Sequence, residues 1–419
     1  MHIELINTGS ELLLGRVLNT HQQWICRQLA DRGYEVARQI CVADDGASIQ
    51  AAVRESLGRA DLVLTTGGLG PTSDDITRDL IAQLLGRPLA LDEAVLANIK
   101  ERFSRIKRPM PRSTEVQAMV PAGARVLPNA HGTAPGLAMQ IDPNPFRENK
   151  RASWLILLPG PPRELRPMFS ESVLPLVLKE FPPPPFVCRT LHTTGMGESA
   201  VEEKIAGSLR PLLAAGLELG YCARIGEVDV RLVARGEKAA ATVSQAEEII
   251  RQVLGPLIFA TDDATLESTV VQLLAGQKKT VALAESCTGG LIAHRITNVP
   301  GASAVLMCGL VTYSNEAKKN LLGVREETLA EHGAVSAAVA RQMAEGARSR
   351  YAADYGLAVT GIAGPGGGST AKPVGTVFIA LAAEQGTTVE ERFYPFDRET
   401  FKFVTSQQAL DLLRRALAD

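Results

Sequence analysis

Three short motifs in the last third of the chain place hydroxyls and an amine at the ends of apolar runs. In "LAESCTGGLIAH", 283 to 294, a strand-like run stops at Ser286-Cys287-Thr288, and Gly289-Gly290 lead into a helical pattern. Main-chain N–H groups at such a helix start can hold a phosphate or a developing oxyanion. Ser286 or Thr288 could equally serve as a helix cap. Cys287 is a second candidate nucleophile, although no base adjoins it in sequence and buried free cysteines are usually inert. A serine nucleophile needs a base. His294 and His332 are available, and so is Lys318 in "YSNEAKKNLLGV". There a strand delivers Tyr313, Ser314 and Asn315 to its end, with Lys318 in the first turn of the helix that follows. A cation is disfavoured at that point, and burial would lower its pKa further, toward usefulness as a base. The alternative is a solvated surface lysine, which suits Lys319. The third motif, "VTGIAGPGGGSTAKPVGTV", sets Thr360 at a strand end with Gly361, Gly364 and Gly366 beyond it. Such a loop suits a phosphate or a ribose. It lacks P-loop spacing, Lys372 precedes a proline, and a strand follows, so ATP binding is not expected.

A second constellation lies near the N-terminus. "LTTGGLGPTSDDITRDL", 64 to 80, leaves an apolar run through Gly67, Gly68 and Gly70 and then meets Thr72, Ser73, Asp74 and Asp75. Glycines allow close main-chain approach, and consecutive carboxylates at the end of a parallel strand lie where open α/β sheets bind ligands. Paired Asp oxygens beside a phosphate nest suit a divalent cation that bridges a diphosphate. Ser73 or Asp74 as a plain N-cap is the alternative. Glu11 in "NTGSELLLG", Thr133 in "HGTAPGLAM" and Glu164 in "LPGPPRELRPMF" could line the same crevice, or each could belong to a tight turn.

Strand–helix alternation must position both sets. It runs from "HIELINTG" through "WLILLPGPP", and again from "TVALAES" to a last helix near 399 to 418, which implies two parallel or mixed sheets with helices on both faces. The stiff run "FPPPPF", 181 to 186, marks a boundary. A small middle segment holding the strand "GEVDVRLVA" and the helix "KAAATVSQAEEIIRQVL" reaches about residue 260. The expected architecture is α/β: domains at 1–175 and 261–419, each of three layers, joined by a small α+β domain at 176–260. A chain of 419 residues, 45% hydrophobic and 21% charged, supports several such cores. Its formal net charge of −2 offers no global basic field for nucleic acid. The basic run "RFSRIKRPMPR", 102 to 112, reads as a solvated face. No stretch has the roughly 18 apolar residues of a membrane helix. Six scattered cysteines suggest free thiols, and a cytoplasmic location is expected.

Taken together, "TGSELLLG", "TTGGLGPTSDDITRD", "GTAPG" and "LPGPPRELRPMF" resemble the molybdopterin-binding fold as it occurs in CinA-type proteins. The resemblance implies a pyrophosphatase acting on ADP-ribose with a divalent metal. Its matching positions are Glu11, Gly67, Gly68, Gly70, Asp74, Asp75, Thr133 and Glu164, with Asp74, Asp75, Glu164 and Glu11 as the metal set. The chain departs at "STEVQAMVPAGA": Thr114 stands for the family's Asn and Val116 for its base. "ESCTGG", "YSNEAK" and "TGIAGPGGGS…KPVGTV" resemble the NMN deamidase family, the C-terminal domain of CinA proteins. That family hydrolyses the carboxamide of nicotinamide mononucleotide to nicotinate mononucleotide and ammonia, without metal. The resemblance implies Ser286 as nucleophile and Lys318 as base, with Tyr313 and Thr360 orienting. Thr288, Gly289, Gly290, Asn315, Gly361, Gly364, Gly366 and Arg398 would bind substrate. In "YPFDRETFK", Asp397 and Arg398 match, while Phe396 replaces a glycine and Lys402 an arginine.

The expected partners are therefore the small nucleotides NMN and ADP-ribose, and a homo-oligomer is expected. The other reading is a competence- or damage-related binding or scaffold protein with a non-catalytic nucleotide or pterin site. The middle segment could be KH-like, but it lacks a base-flanked G-x-x-G loop, so nucleic-acid recognition is not expected.

Overall fold

Six consecutive buried residues, Ile3–Thr8, leave β1 no polar face, as befits a strand covered on both sides. The computed structural model describes residues 1–418 and divides into two units, which part after Phe186 at the end of the Pro-rich run. In chain order the first unit contains β1, β2 (Val36–Val42), β3 (Leu62–Thr66), β4 (Leu89–Leu91), β5 (Met119–Pro121), β6 (Arg125–Leu127), β7 (Gly136–Ile141) and β8 (Ser153–Leu158). The main sheet has the order β2-β1-β3-β8-β7-β6, and β4 and β5 form a separate ribbon. The first four strands of the sheet are parallel, β7 runs antiparallel to β8, and β6, antiparallel to β7, returns to the direction of the first four. Alternate residues feed two cores. Leu5, Leu64 and Ile156 pack with Ile25, Leu29 and Phe169, while Ile6, Val63 and Leu155 pack with Val53, Leu57 and Ile81. The sheet is thus the middle layer of three.

The second unit begins with a four-stranded sheet: β9 (Phe186–Thr194), β10 (Glu218–Arg224), β11 (Glu227–Arg235) and β12 (Ile258–Thr261), in the order β10-β11-β9-β12. Val201 and Ile205 of the Glu198–Ala214 helix and Val243 and Ile250 of the Ala239–Leu254 helix share one core with Val230 and Leu232 of β11. Next come β13 (Val281–Glu285), β14 (Leu306–Val311), β15 (Tyr355–Gly361), β16 (Thr376–Ala383) and β17 (Gly386–Phe393), in the order β14-β13-β15-β16-β17. The first three are parallel, β16 pairs antiparallel with β15, and β17 pairs antiparallel with β16. Val281 and Leu283 face Leu266, Val270 and Leu410, while Ala282 and Ala284 face Val339 and Met343, so this sheet also has two covered faces. Among the described residues no helix is long and apolar enough to cross a membrane.

One buried pair makes stability in the second unit sensitive to pH. His192 on β9 points Nδ1 at Asp229 Oδ1, 2.5 Å away, and Nε2 at Asp262 O, 2.7 Å away. Both partners accept, so only the imidazolium satisfies both. Burial alone would lower the His192 pKa, but the Asp229 bond and the Asp262 carbonyl outweigh burial and the nearby Arg224, and raise it. A folded pKa above the unfolded value of about 6.5 means that the stabilisation is complete below that value and is lost as pH rises through the folded pKa. Melting temperature is expected to fall over that window, and His192→Phe should flatten the dependence in a pH series of thermal melts.

Candidate active site

Parallel strands deliver their carboxyl ends to one edge of a sheet. β13 ends in Glu285 and passes to Ser286, β14 leads into Thr312 and Tyr313, and β15 carries Thr360. The Asn315–Leu322 helix starts just beyond Tyr313, with Ser314 as N-cap accepting from the Ala317 amide. Its Lys318 is only 1% exposed. The side chain folds back so that Nζ lies 3.1 Å from Ser286 Oγ, 2.8 Å from Thr312 O and 3.3 Å from Tyr313 O. Among the described residues no carboxylate forms an ion pair with it. Burial pushes its pKa below the usual lysine value. A neutral amine fits this socket: two N–H groups donate to the carbonyls and the lone pair faces the serine hydroxyl.

The Ser286 loop differs from its sequence-based reading in one respect. Gly289 and Gly290 were expected to open the helix and offer their amides to a ligand. Both have positive φ, 63° and 95°, and the helix starts at Leu291. Gly289 N donates to Ser286 O, and the buried Glu285 carboxylate takes the amides of Gly290, Ile292 and Ala293 at 3.0, 3.1 and 2.8 Å. A helix N-terminus favours a carboxylate, and the chain provides its own. The amides of Gly289 and Gly290 are therefore engaged and not available to a phosphate or oxyanion. Glu285 escaped the sequence reading because it looked like the last residue of an apolar strand. Thr288 is fully buried, and its Oγ1 has no partner among the described residues.

Cys287 is 4% exposed, and burial pushes its thiol up to about 12. A thiol held there is not a thiolate at neutral pH. His294 is exposed and its ring meets Asn298, and His332 is exposed with its ring 3.7 Å from Glu331. Cys287→Ala is expected to leave turnover within about threefold of wild type, the scale of a small local repacking. Maleimide should label Cys287 only when the chain is unfolded.

The remaining predicted residues form a rim. Tyr313 is well exposed, and its hydroxyl accepts from Arg398 Nη2 at 2.9 Å while Arg398 Nη1 donates to Gly364 O at 2.8 Å. Arg398 thus ties the β14 end to the glycine-rich loop. Thr360 is buried, and its hydroxyl donates to Ala334 O at 2.8 Å, a bond that fixes the loop. Lys372 pins the same region by donating to His332 O and Val335 O. Gly361 is required, since a Cβ there would lie 2.9 Å from Thr376 O, whereas Gly366 has open space around it. Asn315 is exposed at the helix start. Lys319 pairs with Glu316, in keeping with a surface lysine.

In the first unit, the carboxyl ends of β1, β2, β3 and β8 surround a pocket of about 360 Å³. Thr8, Glu11, Gly67, Gly68, Gly70, Asp74, Asp75, Thr133 and Glu164 line it, together with Asp44 and Gln117, which sequence reasoning missed. Gly68 is obligatory, because a Cβ there would sit 2.0 Å from Thr77 Oγ1 at a φ of +68°. Neither Ser73 nor Asp74 is the N-cap, since the Thr77–Leu84 helix follows Ile76 with no side-chain cap. Several carboxylates are already engaged: Asp75 takes the Thr72 amide and hydroxyl, Glu164 takes Asn129, and Asp44 takes the Ser10 amide. Among the described residues no three His, Cys, Asp or Glu side chains are grouped to hold a metal ion. The proposed metal set of Glu11, Asp74, Asp75 and Glu164 shares a pocket but does not form a ready cage, and two of its members, Asp75 and Glu164, are turned to Thr72 and Asn129. The lining includes no Lys or Arg. Gln117 is almost wholly buried, and its Oε1 has no partner among the described residues.

Comparison with known proteins resolves the family. Residues 4–179 match the profile described as "Probable molybdopterin binding domain", residues 188–260 "Damage-inducible protein CinA KH domain", and residues 263–417 "CinA C-terminal domain". A CinA-like protein of Akkermansia muciniphila is 47% identical over 413 residues, 98% of this chain and 96% of its own. The chain belongs to the CinA family. A second CinA-like protein, of Anaeromyxobacter, is 42% identical over 417 residues, 100% of this chain and 99% of its own. The crystal structure of a competence/damage inducible protein from Agrobacterium tumefaciens is 46% identical, covers 37% of this chain and 94% of that one, and has a TM-score of 0.36. The four-stranded sheet with its two helices is thus the KH domain of a CinA chain.

The departures from the CinA motifs have definite places. Val116 is 37% exposed and does not line the first-unit pocket, while Thr114 beside it is buried. Phe396 is exposed. Lys402 has its Nζ 3.7 Å from where a Gly289 Cβ would lie, so a cation does stand over the serine loop.

Proposed function

We propose that the second unit is a nicotinamide-nucleotide amidohydrolase that converts NMN to nicotinate mononucleotide and ammonia. The observation that carries this reading is Lys318 Nζ at 3.1 Å from Ser286 Oγ, buried, with no carboxylate paired to it among the described residues. The substrate follows from the resemblance to the NMN deamidase family. The amine takes the hydroxyl proton as Oγ attacks the carboxamide carbon. The amides of Cys287 and Thr288, which meet the Cys287 sulfur and donate to no oxygen among the described residues, are the main-chain candidates to turn to the developing oxyanion. Lys318 returns the proton to the departing nitrogen, ammonia leaves, and water hydrolyses the ester with the same base. Arg398 and Lys402 supply positive charge at the rim for the substrate phosphate. The experiment is ammonia release from NMN by the purified chain. Ser286→Ala should abolish it with the fold intact, and undiminished release from that variant would refute the nucleophile.

For the first unit we propose a nucleotide-diphosphate pocket, with ADP-ribose as ligand and a divalent cation as its companion. The reading is supported by the position of the pocket at the carboxyl ends of four parallel strands. The side chains do not form a cage for the cation, and no catalytic step is assigned to it. Incubation with ADP-ribose and magnesium or manganese should release AMP, and Asp74→Ala should reduce it. Titration calorimetry separates cleavage from mere binding, the outcome a non-catalytic nucleotide or pterin site would give.

A further inference from the structure

The KH domain supplies no residue to the dyad, yet a buried polar chain runs from it to the helix behind Ser286. Glu227, at the start of β11, accepts from Gln407 Nε2 at 2.7 Å. Gln407 is wholly buried on the Arg398–Ala418 helix, and its Oε1 accepts from Arg295 Nη2 at 2.5 Å. Arg295 Nη1 donates to Ser406 Oγ at 2.8 Å, its Nε to the Glu267 carboxylate, and its guanidinium lies 4.9 Å from the Phe403 ring centre. Arg295 belongs to the Leu291–Thr297 helix, whose leading amides Glu285 holds one residue before Ser286. A cleft of about 860 Å³ lies between the β10–β11 hairpin and the Arg398–Ala418 helix. The ties across it are hydrogen bonds: Gln407 to Glu227, Gln408 to Thr194, and Arg414 to the Pro256 carbonyl.

The chain has a direction. Arg295 can only donate and a Glu227 carboxylate can only accept, so the residue between them must accept on one side and donate on the other. A primary amide does both; a carboxylate or an amine does one. Gly226, just before Glu227, packs against Gln407 and has a φ of +74°, the left-handed backbone that favours glycine.

We infer that Glu227 of the KH domain is a positioning residue for Ser286, acting through Gln407 and Arg295. The inference rests on the Ser286–Lys318 reading but not on the identity of the substrate. Polar networks in low dielectric hold one geometry when every member is satisfied, and small displacements of a nucleophile are costly to rate.

The test measures two things on the full chain: NMN turnover, and the rate at which phenylmethanesulfonyl fluoride modifies Ser286, followed by intact mass. In the second reaction an Oγ–S bond forms, fluoride leaves, and Lys318 takes the hydroxyl proton. Gln407→Glu keeps the acceptor for Arg295 but sets a carboxylate against Glu227. It should slow modification and kcat about tenfold, within the range for coupled neighbours, with KM little changed. Adding Glu227→Gln supplies a donor again and should restore both rates. Glu227→Ala, which lies outside the second unit's C-terminal core, serves should Gln407→Glu fail to fold, and it should slow modification similarly. Wild-type rates in Gln407→Glu or in folded Glu227→Ala, or a double variant no faster than the single, overturn the inference. If the wild type is modified at Ser286 yet releases no ammonia from NMN, the substrate reading fails while modification still reports on Glu227.

Discussion

Lys318→Met should lower kcat for NMN hydrolysis by about 10³ to 10⁴, the upper range for loss of a general base joined to a nucleophile. Methionine preserves the apolar stem and removes the lone pair. Lys318→Arg should be equally inactive, because a guanidinium stays protonated and cannot accept the serine proton. In the wild type, burial lowers the Lys318 pKa, so kcat/KM should rise with pH through that depressed value as the amine becomes neutral. The same shift affects stability. The unfolded lysine, with a pKa of about 10.4, binds a proton that the folded one releases sooner, so this group's contribution to stability increases as pH climbs between the two values. Lys318→Met removes both dependences. Retention of more than about a tenth of kcat would show that another group serves as base, since a general base is worth at least ~10²-fold.

How much of this was legible in the sequence depends on what each signal reports. β13, β15 and β16 read clearly because they are buried on both faces and therefore appear as apolar runs. β10 and β17 did not, because each is an edge strand whose residues are mostly half-buried or exposed, and "GTTVEERF" has no apolar face to announce it. The family and the order of its domains followed from motifs whose combination is specific. Lys318 was found through chemistry, since a cation in a first turn is out of place. Its distance from Ser286 was not legible, because the pair is 32 positions apart in sequence and only the parallel pairing of β13 with β14 brings the two ends together. The glycine pair was misassigned for a related reason. Sequence shows which residues permit a helix start, but not which buried carboxylate already occupies it. Asp44 escaped because it lies just beyond β2 in a segment that carries no motif, and Gln117 because it sits in "STEVQAMVPAGA", where the chain departs from the family pattern at nearby Thr114 and Val116.

That buried carboxylate yields the other large expected effect. Glu285 is 1% exposed and holds three main-chain amides, Oε2 accepting from Gly290 and Ile292 and Oε1 from Ala293. Nothing else in the loop caps this helix, because Gly290 at the N-cap has no side chain to do so. Glu285→Ala strands the three donors and leaves a void beside β13. An orphaned buried donor costs about 1–3 kcal/mol, so the variant should lose about 3–5 kcal/mol in denaturant melts even if some amides find water. Glu285→Gln is the sharper test. Its single oxygen can serve Gly290 and Ile292, but its amide nitrogen then faces the Ala293 N–H, donor against donor. A loss of about 2 kcal/mol is expected, with the chain still folded. Ser286 directly follows Glu285, and its own amide donates to Val359 O, so the carboxylate and β15 together set the angle at which Oγ meets Lys318. Once the helix start relaxes, that angle is no longer fixed from one side, and kcat should fall by at least about tenfold while KM changes less. A Glu285→Gln chain that melts like wild type and turns over at the same rate would mean that the loop is held by its glycine backbone alone.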